Sequence, residues 1–283
     1  MKLAPDCYEC LHRLIHQAAE LATDDAPLRQ TAIQEATGIL DDEFSYDQLS
    51  IVIATRIHRA IREVTRNSDP YRAMKEQEMK LAGELHPELS LNTEQAGQDE
   101  LRGCIKLAAA ANSIDFFRET HSAEQDIRNP ISFAVDDSVP LEAKLRDADR
   151  VLYLADNAGE VYFDLPLVRL MRRSAQVIYV VKPSPVQNDL TLEDVARSGL
   201  KGELVQVMST GIASPGVILS LASARFRWEF ESADLIFAKG MGHYEALSEL
   251  PPEGRIFYCL RAKCRPVADS LGVPLNSYVA MLR

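Results

Sequence analysis

The sequence predicts an α/β protein. Its second half is Rossmann-like, a mostly parallel sheet flanked by helices, and its first half is an all-helical region. Three observations lead there. Up to about residue 147, apolar residues recur at spacings of three and four. From about residue 148, short and nearly continuous apolar runs replace that period. Segments long enough for a helix separate most of those runs, the pattern of strands buried on both faces and joined by crossover helices. Two regions are expected: residues 1–147, helical and covering a cleft, and residues 148–283, carrying the chemistry.

The helices come first. Residues 7–22 place Leu11, Leu14, Ile15, Ala18 and Ala22 on one face, and residues 46–65 do the same with Leu49, Val52, Ile53, Ile57, Ala60, Ile61 and Val64. Ser68-Asp69-Pro70 reads as an N-cap followed by a first-turn proline, opening a helix through Leu85 that His86-Pro87 ends. A further helix is expected over residues 94–116, through the small-residue stretch 107–111. Residues 125–140 are mixed and take no assignment. Strands are expected at 151–155, 177–181, 204–208, 235–238 and 256–260.

With 283 residues, 46% of them hydrophobic, the chain can bury a sizeable core. The net charge of −11, from 42 acids against 31 bases, argues against nucleic acid as a partner. An anionic small molecule stays open, since a pocket can be locally positive. No stretch approaches the roughly 20 apolar residues of a membrane span, and the N-terminus has no signal-peptide pattern, so a cytoplasmic protein is expected. Five cysteines do not make a disulfide framework in a chain of this length.

In open α/β sheets, ligands bind outside the carboxyl ends of the strands. The first apolar run leads into Asp156-Asn157-Ala158-Gly159-Glu160, and the second into Lys182 and a loop ending in Asn188-Asp189. The third leads into Ser209-Thr210-Gly211, and the fourth into Lys239-Gly240-Met241-Gly242-His243-Tyr244-Glu245. Asp156, Asn157 and Asp189 offer the oxygen ligands that hard divalent cations take. Lys182 and Lys239 can neutralise phosphoryl oxygens, and glycine-rich turns present N–H groups to anions. The set suits phosphate-ester hydrolysis on a metal, with water or an aspartate attacking phosphorus.

Each piece also has a plain structural reading. Asn157-x-x-Glu160 and Thr191-x-x-Asp194 fit capping boxes, an Asn-Asp pair fits a turn, and a lysine after a strand is usually solvated. Co-occurrence at successive strand tips favours a site. The sequence has no P-loop, no Gly-x-Gly-x-x-Gly after a strand and no Gly-x-Ser-x-Gly elbow, and Ala158 stands where a haloacid-dehalogenase-type phosphatase has a second aspartate.

These motifs resemble the metal-dependent damage-control phosphatases, the domain-of-unknown-function 89 family. The resemblance rests on Cys7-Tyr8-Glu9-Cys10, Ile57-His58-Arg59-Ala60-Ile61-Arg62-Glu63, Asp69-Pro70-Tyr71 and Ala111-Asn112-Ser113-Ile114-Asp115-Phe116. It continues in Asp156-Asn157-Ala158-Gly159-Glu160, Asn188-Asp189, the Lys239 motif and Lys263-Cys264. It implies a helical region beside a Rossmann-like domain and a divalent ion (Mg, Mn, Co or Ni) on Asp156, Asn157 and Asp189. It also implies a small phosphorylated metabolite as substrate, a sugar phosphate or relative. On this reading Glu160 joins the catalytic set, and Lys182, Asn188, Thr210, Lys239, Gly240 and Glu245 contact substrate. His243 departs from the pattern, where asparagine is expected, and Ser209 stands where an acid is more usual. The N-terminal cysteine pair matches the prokaryotic-type subgroup.

Asn112 and Asp115 share one helical face at the end of an alanine-rich helix, and an amide and an acid there need partners. They are expected to reach the cleft from the helical side. Cys7, Cys10 and Cys264 are candidates for a second metal, which would want a fourth ligand. Two other functions compete: a carboxyl methyltransferase using S-adenosylmethionine, which the resemblance also carries, and a non-catalytic metal- or metabolite-binding protein. A methyl donor needs neither a divalent metal nor paired lysines.

Overall fold

The computed structural model describes residues 1–94, 100–112 and 129–283. Its first part holds helices α1 (Pro5–Ala22), α2 (Ala26–Glu43), α3 (Ser50–Thr65), α4 (Arg72–Glu94) and α5 (Glu100–Ala111). Leu11, Ile15 and Ala18 of α1 meet Ala32, Ala36 and Leu40 of α2 and Ile53, Ile57 and Ile61 of α3 in one core. The sequence reading assigned nothing to α2, whose inner face is mostly alanine and so carries a weak apolar signal. Its start is nonetheless well marked, because the Asp25 side chain accepts from Leu28 N at 3.0 Å. Helix α3 begins at Ser50 rather than residue 46. The preceding segment pairs with the N-terminus instead, Leu3 N donating to Gln48 O at 3.0 Å.

Pro87 does not end α4. It lies inside the helix, and Leu81, Leu85 and Leu89 pack around Phe163 on both sides of it. Burial across the proline outweighs the one backbone bond it removes. Helix α5 runs Glu100–Ala111, and the rest of the expected helix, over residues 113–116, lies outside the described residues.

The second part comprises β1 (Phe133–Asp136), α6 (Ser138–Asp147), β2 (Arg150–Leu154), α7 (Val161–Met171), β3 (Gln176–Val181), α8 (Leu192–Ser198) and α9 (Lys201–Leu204). It continues with β4 (Val207–Ser209), α10 (Ala224–Ser232), β5 (Leu235–Lys239), α11 (Gly240–Leu247), β6 (Ile256–Arg261), α12 (Arg265–Leu271) and β7 (Tyr278–Leu282). The strands form a seven-stranded sheet in the order β1-β7-β6-β5-β2-β3-β4. All pairs are parallel except β6 with β7.

The segment before residue 148 is therefore not wholly helical, since β1 joins the sheet through β7. Strand β1 is short, partly exposed and ends in an acid, so it shows no clear apolar run, whereas β7 is a continuous apolar run, Tyr278-Val279-Ala280-Met281-Leu282, unassigned in the sequence reading. Leu204, expected to open a strand, closes α9, and β4 begins at Val207.

On one face of the sheet Tyr179, Tyr153, Phe237 and Phe257 stack across β3, β2, β5 and β6, with centroids 5.1, 4.9 and 5.2 Å apart. Cys104, Ile105, Ala108 and Ala109 of α5 belong to the same core as this ladder, so the helical part closes directly on the sheet. Strand β2 lies between β3 and β5. The chain runs outward from β2 through β3 and β4, then restarts beside β2 at β5. That is the topological switch point, where a crevice opens at the carboxyl ends.

Candidate active site

The residues after β2 and β3 are tied to each other. Ala158 N donates to Asn188 O at 2.9 Å, Leu190 N to Asp156 O at 2.8 Å, and Asn157 and Asp189 form an isolated bridge. Asp156, Asn157 and Asp189 are thus gathered by backbone pairing. Gly240, at the end of the neighbouring β5, has φ +77°, and a Cβ there would overlap the Asp156 carboxylate.

Asn112 arrives from the other side, just past α5. Its Nδ2 donates to Asp156 Oδ2 at 2.8 Å and to Glu160 Oε1 at 2.9 Å, while its Oδ1 accepts from Arg261 N at 3.3 Å. Asn157 Nδ2 also donates to Glu160 Oε1, at 2.7 Å, rather than capping the 3₁₀ turn Ala158–Glu160. By contrast Thr191 and Asp194 do form the capping box at α8. Asp115 lies outside the described residues.

Both lysines stand at this sheet edge and are buried. The Lys239 ammonium is enclosed by three acceptors, Ala108 O at 2.6 Å, Asp164 Oδ1 at 2.7 Å and Glu160 Oε2 at 2.7 Å. The first two are hydrogen bonds, and the third is an ion contact without hydrogen-bond geometry. An ammonium has three N–H groups, so Lys239 reads as the counter-charge of Glu160 and Asp164 rather than as a phosphoryl ligand. Lys182 donates to Gly216 O and lies 3.4 Å from Asp189 Oδ2, an ion pair that also lacks hydrogen-bond geometry. It retains donor capacity toward a ligand.

Other expected contacts fall elsewhere. Asn188 Nδ2 donates to Glu78 Oε1 at 2.9 Å. The Thr210 hydroxyl donates to Ile212 O at 2.8 Å, within its own loop. Glu245 sits with the N-terminus, its carbonyl accepting from the Met1 ammonium, and burial pushes its carboxyl up to about 7. It is not assembled with the carboxylates. Cys7, Cys10 and Cys264 feel one another and Glu245 electrostatically, but among the described residues no three His, Cys, Asp or Glu side chains gather closely enough to hold an ion. His243 Nδ1 lies 2.8 Å from Lys239 O, and burial keeps the ring neutral, so it donates to that carbonyl.

Glu78 and Asp164 escaped the sequence reading. Glu78, on α4, packs against Gly159, and burial pushes its carboxyl up to about 8. Asp164 sits in an apolar stretch of α7 and accepts from Tyr179 Oη at 2.7 Å. A lone acid in such a stretch is a readable sign of a buried partner.

The electrostatics fit a cation. Burial, then the charges of Glu160 and Asp189, push Asp156 well above the usual carboxylate range. Burial moves Asp189 up to about 6, against the pull of Lys182. Glu160 Oε2 and Asp189 Oδ2 accept no hydrogen bond. Carboxylates crowded this way bind protons or a metal. Two acids, the Asn157 amide oxygen and water would make a hard oxygen shell.

The sequence profile of the damage-control phosphatase ARMT1-like domain matches residues 3–279. A protein named damage-control phosphatase from Pyrococcus horikoshii is 34% identical over 99% of this chain and 98% of its own length. Another of that name from Archaeoglobus fulgidus is 31% identical over 99% of both chains. An uncharacterized protein of Methanocaldococcus jannaschii is 33% identical over 100% of this chain and 96% of its own. The crystal structure of a DUF89 family protein from Pyrococcus horikoshii superposes with a TM-score of 0.89 at 33% identity, covering 100% of this chain and 99% of that one.

Proposed function

The chain belongs to the damage-control phosphatase ARMT1-like family, and on that premise we propose that it is a cytoplasmic, metal-dependent phosphatase hydrolysing a small phosphorylated metabolite. The observation that carries this reading is the backbone pairing that gathers Asp156, Asn157 and Asp189 at the switch point, with Lys182 3.4 Å from Asp189. Asp156, the Asn157 Oδ1 and Asp189 would hold the cation. When bound, a divalent ion supplies positive charge against phosphoryl oxygens.

The chain's own groups do the rest. Asn112 orients Asp156 by donating to it, and through Glu160 it shares that carboxylate with Asn157. Lys182 offers its remaining N–H to the phosphoryl group. Glu78 keeps its proton near neutral pH, since burial pushes it up to about 8, and is the acid available to the departing oxygen. No observation favours the methyltransferase reading. Gly159, in the loop where a methyl donor would want glycine, is spent on the close approach of α4, because a Cβ there would lie 3.0 Å from Glu78 Cβ.

The test is phosphate release from a panel of phosphorylated metabolites, with chelator and with added Mg²⁺, Mn²⁺, Co²⁺ or Ni²⁺. Metal-dependent release is expected from the wild type. Asp156→Ala and Asp189→Ala are expected to lose it while keeping the wild-type circular dichroism. Full activity in either variant overturns the assignment.

A further inference from the structure

Strand β6 ends in a charge that the chemistry above leaves unused. Phe257 and Cys259 face the core under α5, and the period of two puts Arg261 on that face, one step beyond them. The backbone N–H of Arg261 already belongs to the centre, since it donates to Asn112 Oδ1 at 3.3 Å. Its guanidinium lies 5.5 Å from the centroid of the Tyr278 ring, and its Nε donates to Asn276 O at 3.4 Å. Asn276 presents that carbonyl from a left-handed φ of +67°. The turn is pinned to the chain after β6 by Asn276 N donating to Ala262 O and Ala262 N to Ser277 O, both at 2.8 Å.

The guanidinium is therefore held at one face and at Nε, while its terminal nitrogens make no hydrogen bond and meet no carboxylate among the described residues. That is a departure in a chain with 42 acids against 31 bases. Arg102, on α5, spends its fork on Asp136 of β1, at 2.6 Å. Arg261 instead lines an open cleft of about 400 Å³ with Ser132, Asn276, Ser277 and Tyr278, and the exposed lining of that cleft is predominantly polar.

The free edge of a guanidinium presents parallel N–H groups that match the two oxygens of a carboxylate. Arg261 is the one cation lining the cleft among the described residues, so the cleft balances a single negative charge rather than the nearly double charge of a phosphate. Orientation by Tyr278 and Asn276 lowers the entropy lost on binding. In the sheet, β6 lies two strands from β2, so the tips that carry Arg261 and Asp156 are about 10 Å apart. A sugar-sized chain with a phosphate at one end and a carboxylate at the other spans that gap.

We propose that Arg261 and the cleft beside it form a carboxylate subsite, and that the substrate is a phosphorylated metabolite whose far end is a carboxylate. The proposal deepens the phosphatase reading and rests on it for the position of the phosphoryl group.

Two compounds isolate the carboxylate. 6-Phosphogluconate and glucitol 6-phosphate share a carbon chain and its stereochemistry, and differ only in carboxylate against hydroxymethyl at C1. With manganese added, wild type is expected to favour 6-phosphogluconate in kcat/KM by roughly tenfold to a hundredfold, the worth of a charge-assisted hydrogen bond. Arg261→Met is expected to bring the ratio to one or below, because the carboxylate then meets an acidic protein without its partner. Arg261→Lys keeps the charge and loses the fork, and its ratio is expected in between. Both compounds are read on the same variant, so a loss of stability or a shift of Asn112 cancels from the ratio. A wild-type ratio near one, or a preference that survives in Arg261→Met, overturns the proposal and leaves Arg261 a structural partner of Tyr278 and Asn276. A preference for fructose 1,6-bisphosphate over fructose 6-phosphate that Arg261→Met abolishes, with none between the first two compounds, assigns the cleft to a second phosphate and also overturns it. If wild type hydrolyses no phosphate ester, the phosphatase reading fails by itself, and the ratio of calorimetric Kd values for the same two compounds decides the subsite.

Discussion

At Gly240 the backbone takes φ +77°, and the missing side chain is what leaves room for the Asp156 carboxylate. Gly240→Ala must either flip the peptide or push Asp156 away from Asn112. A displacement of about 1 Å at a reacting group costs on the order of a hundredfold, so kcat/KM is expected to fall by about that factor. Steady-state phosphate release on a fold-checked variant measures it. Asn112→Ala acts on the same carboxylate from the opposite side. It removes donors at 2.8 and 2.9 Å from Asp156 and Glu160 without removing a proposed cation ligand. Turnover is expected to drop roughly tenfold to a hundredfold, about 1.5–3 kcal/mol, and by more than metal affinity falls. Equal losses in turnover and in calorimetric metal binding would show that Asn112 serves the cation instead. The nearness of Asp156, Asn157 and Asp189 was legible in the sequence because the first two directly follow one apolar run and Asp189 closes the loop after the next, where strand direction places a site. Glu78 was not, because it sits among Glu76 and Gln77 on a helix, and only the packing of α4 on Gly159 singles it out.

The elements that were legible are those whose burial is two-sided or strongly one-sided. Strands β2, β3, β5 and β6 are buried along most of their length and read as apolar runs. Strand β1 closes one side of the sheet with partly exposed residues, and its pairing with β7, itself an apolar run, is long-range information that no local pattern carries. Pro87 misled for a related reason, since the apolar contacts that continue α4 past it come from Phe163 in another element. The joint between α5 and β5 is the most consequential of these tertiary features. Lys239 connects the tip of β5 to Ala108 O of α5 and to Asp164 of α7. Replacing it by methionine would leave Asp164 and Glu160 buried and uncompensated. Breaking a buried pair from one side typically costs about 3–5 kcal/mol, and Lys239→Met is expected to lose that much in urea unfolding. A change below about 1 kcal/mol would mean that Asp164 takes up a proton instead and that the lysine is dispensable to the joint.

Across the whole molecule, three acids of this centre, Glu78, Asp156 and Asp189, are shifted in one direction. Burial moves Glu78 from 4.5 to about 8 and Asp189 from 3.8 to about 6, and Asp156 also lies well above its ordinary value. Through these three acids the folded chain holds protons that the unfolded chain has lost between about pH 4 and pH 8, while His58 and His243, which burial keeps neutral, act in the opposite sense below about pH 6.5. Stability changes with pH in proportion to the protons bound by the unfolded state minus those bound by the native state. That difference is negative for the three acids, so their contribution is fully present below the unfolded pKa values and is lost as pH rises through the folded ones. In chelator, wild type is expected to lose stability relative to Glu78→Gln from pH 5 to pH 8, by roughly 2–5 kcal/mol. A divalent cation reverses the sense of the same charges, because ionised carboxylates are what it binds. At a hundredfold excess over its dissociation constant, an ion that binds only the folded state adds about 2.7 kcal/mol. Manganese is therefore expected to raise the midpoint most at pH 8 and least at pH 5, where protons compete for Asp156 and Asp189. Glu78→Gln separates the two effects: it should remove the Glu78 share of the pH dependence in chelator and leave the manganese increment intact. A manganese increment that did not change with pH would place the ion away from these carboxylates, and the cluster would then be a buried proton store rather than a metal site.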